Sequence, residues 1–372
     1  MESYVPEKLP PKSIDWEMHI SLIGKANYAL AQYNGILQGI INPQVLLSPL
    51  TVREAVISSR IEGTQASLED VLKYEADIDD FNEKDGPENK YNKDIYEIRN
   101  YRKAMSAAVV KLGERPLSIN LIRDLHRILL SDVRGQNKEP GEVRRRQNWI
   151  GSPGTPIENA TFIPPDPLII WDALSDWEAY IHREEKDTTV QLAIIKAQFE
   201  LIHPFLDGNG RIGRMLVPLI LYSKKMLSEP TFYISSYLER NRSVYYKHLN
   251  SISKNGDWNG WISFFLQAMI EQSSENSKKA KEIINLYNNM KDKVSSITRT
   301  QYSIRALDAI FSKPIFSATY FGSRLGQSKM TANRVLRELT DEGIIVVISE
   351  SSGSRPTIFA FPQLLNITEG VE

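Results

Sequence analysis

The most constraining stretch of this sequence is a pair of apolar helices joined by a glycine-rich turn. Apolar residues recur at helical spacing from Val190 to Leu201. Pro204 ends that helix, because the residue before a proline is pushed out of the right-handed region. The turn Gly208-Asn209-Gly210 opens a second apolar helix that runs to Lys225. Such a turn aims unpaired backbone N–H groups and the positive end of the helix dipole at one point, which predicts an anion-binding site.

Charged and titratable residues surround this turn. Arg211 and Arg214 stand three residues apart, share one helix face and can hold oxyanions through bidentate bonds. Asp207 offers a carboxylate that could bind Mg²⁺, the usual companion of substrate phosphates. His203 titrates near neutrality, as a general base should. The set predicts a polyphosphate, a magnesium ion and a proton acceptor.

Two other phosphate-binding motifs are excluded by context. The run from Gly208 to Gly213 matches the Rossmann pattern, but that pattern follows a strand and this one follows a predicted helix. The Gly-Lys-Ser/Thr of a Walker A loop is missing here. Taken singly, a histidine is more often structural, and Gly-Asn-Gly is usually only a turn. The combination carries the prediction.

The run from His203 to Arg214, His-Pro-Phe-Leu-Asp-Gly-Asn-Gly-Arg-Ile-Gly-Arg, resembles the complete signature of the Fic (filamentation induced by cyclic AMP) domain family. We call residues 203–214 the signature. The resemblance implies a protein adenylyltransferase, in which a Ser, Thr or Tyr hydroxyl of a target protein, or of the enzyme itself, attacks the α-phosphate of ATP and displaces pyrophosphate. The related Doc branch, which phosphorylates its target, departs from the glycine-rich turn, so the turn favours AMP transfer.

The resemblance also assigns a role to each signature residue. His203 would be the base and Asp207 the Mg²⁺ ligand, whereas Arg211 and Arg214 would clamp the β- and γ-phosphates. Asn209 and the glycines would anchor the phosphates. The implied ATP contacts of the signature are Asp207, Gly208, Asn209, Gly210, Arg211, Ile212, Gly213 and Arg214.

A helix ahead of the signature carries an unusual glutamate. Ser48 is predicted as its N-cap, with Pro49 in the first turn and Gly63 as a left-handed C-terminal cap. Glu62 in the last turn faces the negative end of the dipole, at a cost of roughly 0.3 to 1 kcal/mol unless a cation answers it. A basic partner is therefore expected, and the ordinary alternative is an exposed glutamate tolerated by solvent.

The segment Ser58-Ser-Arg-Ile-Glu62-Gly63 resembles the inhibitory motif of Fic proteins. The resemblance implies that Ser58, Glu62 and Gly63 are inhibitory residues. Glu62 would pair with Arg214 and occupy the space that the γ-phosphate of ATP needs.

Two short β-prone runs, 147–150 and 160–163, flank a Pro- and Gly-rich tip and predict a β-hairpin. The hairpin resembles the Fic flap, which docks the target's hydroxyl-bearing segment by strand addition. We call residues 144–165 the flap segment. An ordinary surface hairpin is the alternative, and Arg144 to Arg146 could form a solvated basic face. The implied nucleotide contacts of the flap are Asn148, Trp149, Ile150 and Gly151.

Other helices are predicted around this centre. The stretch from Tyr233 to Leu249 resembles the family's later helix beside the adenine pocket, with Tyr245 as a candidate ring or ribose contact and a stacked core tyrosine as the alternative. His126 is expected to be a packed, hydrogen-bonded core residue. The charged residues 69–98 are predicted to form a solvated loop between helices, and helices are predicted for 16–38 and 92–112. Two separate helices are predicted for 258–269 and 271–294.

The C-terminal residues predict a second, smaller domain. Three short helices, 304–311, 317–325 and 328–342, precede a hairpin of strands 346–349 and 357–361. This is the order of a winged helix, in which Lys329, Asn333 and Arg337 could face a DNA major groove. Basic residues only modestly outnumber acidic ones there, so a protein-contact or dimerisation role is an equal alternative.

The predicted fold is mainly α: a Fic-type helical bundle with a β-hairpin flap, followed by a small α+β winged-helix domain. The expected domains are 1–110, which holds the inhibitory helix at about 48–63, then 111–294 for catalysis and 295–372 for the winged helix. The formal net charge of -1 shows no global basic excess for nucleic acid.

Cellular context is also predicted. The absence of cysteine fits a reducing compartment, and the N-terminus is too polar for a signal peptide. We therefore expect a cytoplasmic enzyme, with a homodimer compatible with the sequence. A de-AMPylating or bifunctional enzyme, or a nucleotide-sensing DNA-binding regulator, are the alternative functions.

Overall fold

A computed structural model describes residues 2–78, 92–131, 138–151, 154, 156–352 and 355–370. These residues are mostly helical, as predicted. In this part of the chain the helices are α1 (Trp16–Gln38), α2 (Pro43–Leu46), α3 (Ser48–Ile61), α4 (Leu68–Ile78), α5 (Asn92–Leu112), α6 (Ile119–Leu129), α7 (Ile170–His182), α8 (Thr188–Ile202), α9 (Asn209–Ser223), α10 (Ser235–Arg240), α11 (Arg242–Asn255), α12 (Trp258–Thr298), α13 (Ser303–Ser312), α14 (Ala318–Leu325), α15 (Lys329–Asp341) and α16 (Pro362–Glu369). The strands are β1 (Ile315–Ser317), β2 (Val346–Ser349) and β3 (Ile358–Ala360).

Helix α8 is the centre of the bundle. Every residue from Thr189 to Ile202 is buried, so this helix is enclosed on all sides rather than amphipathic. It packs against α1, α7, α9, α11 and α12. Asp187 caps its first turn by accepting from the N–H of Val190 at 2.9 Å. The helix is therefore a rigid support for the histidine that follows it.

The long helix α12 is continuous over 41 residues, although two helices were predicted there. The prediction was wrong because the joint, Met269-Ile-Glu-Gln272, contains no Gly, Pro or capping residue that would end a helix. Helix α1, predicted correctly at both ends, lies along α12.

Helix α3 confirms the predicted helix ahead of Glu62, with one correction. Its N-cap is Leu47 rather than Ser48, because α2 runs directly into it and Leu47 keeps near-helical angles. An N-cap side chain needs an extended backbone, which Ser48 does not have. Gly63 has φ 101°, a positive value that agrees with its predicted place just after the end of the helix.

The predicted solvated loop at 69–98 is also corrected, because Leu68–Ile78 is helical. Ser67 and Asp70 exchange hydrogen bonds across its first turn, and its apolar side is buried. The remaining residues of that loop up to 91 lie outside the described part of the chain.

The C-terminal part has the three predicted helices followed by the predicted pair of strands, with an additional strand and an additional last helix, α16. The sheet order is β1-β3-β2, all antiparallel, with Ile315 and Val346 both opposite Ala360. Strand β1 was not predicted, because its three residues are too few for a periodic signal. This part packs against the N-terminal helices: α13 against α2 and α3, β1 against α4, and α16 against α3.

Within the described ranges, no helix combines the length and the apolar character that crossing a bilayer requires.

Candidate active site

His203 follows the last residue of α8 in a left-handed conformation, with φ 50° and ψ 59°. Its imidazole Nδ1 lies 3.2 Å from the carbonyl oxygen of Glu200. Since a carbonyl oxygen can only accept, Nδ1 carries the proton and Nε2 keeps its lone pair. Burial lowers the pKa of His203, and the Glu200 carbonyl opposes that shift while Arg144 adds to it. The ring is therefore neutral at physiological pH, with Nε2 able to accept a proton.

Arg144 holds His203 from the flap side. Its side chain is buried, and its Nε donates to the carbonyl oxygen of His203 at 2.9 Å. Its Nη2 donates to the carbonyl oxygen of Pro165 at 2.6 Å, and its own N–H donates to Pro204. The alternative of a solvated basic face is therefore wrong for Arg144, which ties the flap segment to the signature. Sequence reasoning missed this role, and the run of three arginines gave no signal to single out the first.

The loop between α8 and α9 is closed by Asn209. Its side-chain oxygen accepts from the N–H of Phe205 at 2.9 Å, and its Nδ2 donates to the Phe205 carbonyl at 2.8 Å. Gly208 has φ 77°, a conformation that favours glycine. Asn209 therefore shapes the turn, and both polar atoms of its side chain are bonded to the backbone of Phe205.

His126 supports the same loop from α6. It accepts from the N–H of Gly141 at 2.8 Å and donates to the carbonyl oxygen of Asp207 at 2.9 Å. Its ring stacks on Phe205, with centroids 3.8 Å apart. Burial lowers the pKa of His126 to about 4, so it stays neutral. The predicted packed, hydrogen-bonded core histidine is confirmed.

The start of α9 retains polar groups that suit an anion. No side chain caps its first N–H groups. Arg211 is buried, with Nη1 3.2 Å from Glu97 and Nη2 3.5 Å from Asp207, whereas its Nε has no hydrogen-bond partner among the described residues. In the same part of the chain the side-chain oxygen of Asn148 is also buried without a partner. The unused Nε donor of Arg211 fits a phosphate ligand, whereas the Asn148 oxygen can only accept.

Glu97 was missed by sequence reasoning. It lies on α5, 114 residues before the arginine it pairs with, inside the charged segment 69–98 that was predicted as a solvated loop. No local pattern connects residues so far apart.

Asp207 is the carboxylate that was predicted to bind a metal ion. Its side chain is 41 % exposed, and one oxygen accepts from the N–H of Gly208 at 2.5 Å. No group of three or more His, Asp or Glu side chains within the described ranges could hold a metal. A magnesium ion at Asp207 would therefore take its other ligands from phosphate oxygens and water, as magnesium usually does.

Arg214 is fully engaged by the C-terminal end of α3. Its Nη2 lies 2.7 Å from Glu62 Oε1 and also donates to the Ser58 carbonyl at 2.7 Å. Its Nε donates to the Ser58 hydroxyl at 2.8 Å. Burial alone would raise the pKa of Glu62, but the adjacent Arg214 charge holds it below its ordinary value. The basic partner predicted for Glu62 is confirmed.

Gly210 provides the space for the Glu62 carboxylate. A Cβ atom built on Gly210 would overlap Glu62 Oε1 and would lie 3.1 Å from Arg214 Nη1. The carboxylate therefore rests directly on the glycine-rich turn, where the predicted anion site lies. An anion bound there would have to displace Glu62 or stay away from Arg214.

Helix α11 secures the end of α3. Arg242 donates to the Ile61 carbonyl at 2.9 Å, which answers one of the unpaired carbonyls of the last turn. Tyr246, one turn further along, is 38 % exposed and is close enough to Glu62 and Arg214 for both charges to act on its pKa, which burial raises. Neither residue was singled out from sequence, although Tyr246 directly follows the tyrosine that was.

Tyr245 is a correction to the predicted nucleotide contacts. It is 1 % exposed, and its hydroxyl donates to Glu200 and accepts from Lys196. The alternative of a packed core tyrosine is the one that the structure supports. Ile212 and Gly213 also face inward: Ile212 is buried, and a Cβ on Gly213 would lie 2.8 Å from Glu200 Oε1.

Among its described residues the flap segment forms one bridge, between Ile150 and Phe162, where two strands were predicted. Asn148 Nδ2 donates to the Phe205 carbonyl at 3.1 Å, so the flap reaches the signature loop there. Trp149 and Ile150 are 44 % and 39 % exposed, and Gly151 follows them at the surface.

The predicted DNA or partner contacts lie outside this site. Lys329, Asn333 and Arg337 are exposed at four-residue spacing along α15, and therefore share one face. Arg334 on the same helix is instead paired with Glu338 at 2.7 Å.

Comparisons with known proteins agree with this geometry. Residues 20–110 match the Fic/DOC family N-terminal model, and residues 116–221 match the Fic/DOC family model. The chain is 31 % identical over 152 residues to the protein adenylyltransferase Fic of Drosophila melanogaster, which is 40 % of this chain and 27 % of that protein. It is 37 % identical over 73 residues to a probable protein adenylyltransferase of Aquifex aeolicus, 19 % of this chain and 23 % of that one. The chain thus spans about a quarter of the length of these relatives.

Solved structures show the same fold at lower sequence identity. A Fic family protein from Desulfovibrio desulfuricans is 19 % identical, with a TM-score of 0.61 over 95 % of this chain and 98 % of that one. A Fic domain containing signaling protein from Bacteroides thetaiotaomicron is 19 % identical, with a TM-score of 0.53 over 69 % of this chain and 97 % of that one. The two family models together span more than half of the sequence, and the signature they cover is complete, so this chain belongs to the Fic/DOC family.

Proposed function

We propose that the protein transfers AMP from ATP to a Ser, Thr or Tyr hydroxyl of a target protein, and that Glu62 restrains this activity. The observation that carries the proposal is the Glu62–Arg214 ion pair at 2.7 Å, which lies on the Gly210 backbone at the start of α9. The names of the adenylyltransferase relatives and the complete signature support the chemistry.

In the proposed reaction His203 acts as the general base. Its Nε2 accepts the proton of the target hydroxyl, whose oxygen then bonds to the α-phosphorus of ATP. The bond from that phosphorus to the α–β bridging oxygen breaks, and pyrophosphate leaves. Arg211 and Arg214 neutralise the charge on the β- and γ-phosphates. Asp207 would hold a magnesium ion, which supplies further positive charge to the phosphates when bound.

Glu62 restrains the reaction by charge and by occupancy. Its carboxylate uses the Arg214 donors and sits over Gly210, so the γ-phosphate would meet a negative charge instead of a free guanidinium. The γ-phosphate must therefore replace the Glu62 carboxylate at Arg214 before ATP binds productively.

Labelled ATP tests the proposal. Glu62→Gly should label itself or a target more strongly than wild type, and His203→Ala in the same background should remove the labelling. Glu239→Gly, which removes a half-exposed glutamate that lies 3.7 Å from Arg60 near the end of α3, is the matched control and should label like wild type. A Glu62→Gly protein that binds ATP and labels nothing in a cell lysate would overturn the proposal.

Removal of AMP is the second candidate, and one observation favours it. Glu62 Oε1 contacts Arg214, whereas Oε2 has no hydrogen bond among the residues described, and the side chain is 34 % exposed. A free carboxylate oxygen at this place could orient a water towards the phosphorus of an AMP ester. Release of AMP from a pre-modified substrate by wild type but not by Glu62→Gln would support it.

For the C-terminal part we propose a winged helix that contacts DNA or a partner protein through α15. The exposed Lys329, Asn333 and Arg337 on one face of that helix support the assignment. Fluorescence anisotropy with duplex DNA at 50 and 200 mM salt is the test. Strong binding at low salt that falls steeply at high salt and is lost in Lys329→Ala/Arg337→Ala favours DNA.

A further inference from the structure

A buried ionic cluster lies directly behind the catalytic histidine and takes no part in the phosphate site. Lys196 is fully buried on α8, and its Nζ lies 2.7 Å from Glu200 Oε1 and 3.0 Å from the Tyr245 hydroxyl. The Tyr245 hydroxyl donates in turn to Glu200 Oε2. We call Lys196, Glu200 and Tyr245 the buried triad.

The buried triad is not explained by stability alone. Removing two charges from water is costly, and well-packed apolar residues of similar volume are often as stable as a buried ion pair. Here the ammonium also lies over aromatic rings, 4.6 Å from the Tyr245 centroid and 5.3 Å from that of Trp261. Such a completely satisfied polar cluster fixes one geometry, which an apolar core would not do so strictly.

The geometry that the triad fixes belongs to Glu200, the residue whose backbone holds the histidine ring. The Glu200 carbonyl accepts from His203 Nδ1, and both oxygens of its side chain are bound by the other two members. Across the loop, Gly213 lies so close that a Cβ there would be 2.8 Å from Glu200 Oε1. Glu200 therefore contacts the base and the phosphate-binding helix at once.

We propose that Lys196, Glu200 and Tyr245 are positioning residues that hold the Glu200 carbonyl against His203, so that Nδ1 keeps the proton and Nε2 faces the reacting hydroxyl. The triad acts only through His203 and touches neither ATP nor the target. The proposal rests on His203 being the base in the proposed function. It extends the site to α11, a helix that packs against α8 and α12.

The charges that face His203 define the expected shift of its pKa. Glu200 on its own helix and Glu62 on α3 favour the protonated ring, whereas Arg144 from the flap segment and burial disfavour it. Replacing Glu200 by Gln removes one of the two negative charges and keeps the size and the backbone. The pKa of His203 should then fall further, because Arg144 and burial are less opposed.

Imidazole NMR of the full chain measures both the tautomer and this pKa. The chain has only five histidines, so the His203 signals can be assigned by their loss in His203→Ala. In wild type we expect the Nδ1–H tautomer. In Glu200→Gln the pKa of His203 should fall by about half a unit or more, and in Tyr245→Phe the single tautomer should give way to a mixture.

The pair Lys278–Glu282 provides the matched control. It has the same four-residue spacing on a helix but is exposed, with side chains 70 % and 41 % accessible. Glu282→Gln should leave the His203 signals unchanged. A folded Glu200→Gln or Tyr245→Phe protein whose His203 pKa and tautomer equal those of wild type would overturn the proposal. If Glu200→Gln does not fold, Tyr245→Phe decides, because it keeps both charges.

A rate measurement then separates positioning from binding. In the Glu62→Gly background, Tyr245→Phe should lower the labelling rate about tenfold at saturating ATP and leave the KM for ATP unchanged. An increase in KM with an unchanged rate would contradict positioning. The NMR measurement does not require enzymatic activity. A protein that labels nothing would therefore contradict the proposed function, and NMR would still decide the positioning role.

Discussion

At the scale of single residues, two glycines of the signature serve side chains from other helices. Gly210 makes room for the Glu62 carboxylate, and Gly213 makes room for the Glu200 carboxylate. Both had been assigned from the sequence to phosphate binding. The small size of these glycines therefore serves both the predicted ligand site and the two glutamates beside it. Sequence spacing could not reveal either contact.

Gly210→Ala should displace the Glu62 carboxylate. The added methyl overlaps only the far end of a flexible side chain, so the fold should tolerate it, with a change in the free energy of unfolding of about 1 kcal/mol or less. The measurement is a crystal structure of Gly210→Ala, in which Glu62 should have left Arg214. Gly213→Ala is the control, because its methyl presses on the buried, hydrogen-bonded Glu200 carboxylate and should destabilise the fold more. An unchanged Glu62–Arg214 distance in Gly210→Ala would contradict the account.

The predicted placement of the signature residues at a break between two helices is confirmed, whereas their roles stay a prediction. His203, Asp207, Arg211 and Arg214 converge on one helix start because a proline break and a glycine turn are local signals. Tyr245 was assigned to the wrong environment, since position on a helix does not distinguish an inward tyrosine from its outward neighbour Tyr246. Burial depends on the helices packed around it, and these are distant in sequence.

At the scale of elements, the proposed restraint by Glu62 depends on how α3 is held. Arg242 holds its last turn, and near its middle Glu54 accepts from the hydroxyl and the N–H of Ser235 at the start of α10. Burial raises the pKa of Glu54 to about 7, with the Ser235 bonds opposing that shift. The attachment of α3 to α10 is therefore sensitive to pH near neutrality.

The contribution of Glu54 to folding stability should fall as pH rises. Below pH 4.5 Glu54 is protonated in both the folded and the unfolded chain, and its contribution to stability is fully present. That contribution is lost as pH rises through about 7, because the unfolded chain ionises more easily than the folded one. Glu54→Gln cannot ionise, so relative to wild type it should gain up to about 3 kcal/mol in the free energy of unfolding between pH 4.5 and 8.

Urea unfolding at pH 5, 6, 7 and 8 checks this expectation, with the exposed Glu282→Gln as the control that should show no such trend. A difference between Glu54→Gln and wild type that stays constant over this range would show that Glu54 does not ionise in it.

Helix ends could be predicted from the sequence only where a local signal, such as a capping residue, marks them. Helix α1, which has Asp15 as its N-cap and Gly39 as its C-cap, was placed to the residue. The start of α3 was missed by one residue because α2 runs into it, and α12 was divided because its apolar pattern weakens without any breaking residue. The charged segment after Ser67 was assigned to a loop, although its charges lie on the outer side of α4.

At the scale of the whole molecule, the C-terminal part is built onto the helices that carry and flank Glu62. Helix α12 runs from the centre of the bundle to the C-terminal part without a break, and α13, α16 and β1 pack on α2, α3 and α4. The sequence predicted α13 but neither β1 nor α16. It did not predict this docking either, because no local pattern records which helix packs on which. A ligand of the C-terminal part would therefore bear directly on the surroundings of α3.

We expect the two parts to unfold together. All six tryptophans lie before residue 262 and report on the bundle, and the chain has no cysteine, so Asn333→Cys carries a single fluorophore on the exposed face of α15. Urea transitions followed by tryptophan fluorescence and by the fluorophore should coincide. An earlier, separate transition at residue 333 would show that the C-terminal part is independent.

The central claim is that the start of α9 binds the triphosphate of ATP and that Glu62 competes for it. Calorimetric titration of wild type and Glu62→Gly with ATP and with ADP, in the presence of magnesium, tests it most directly. We predict that Glu62→Gly binds ATP at least about tenfold more tightly than wild type does. We also predict that ADP, which has no γ-phosphate to reach Arg214, gains much less. Equal ATP affinities for the two proteins, or no ATP binding by Glu62→Gly, would contradict the account.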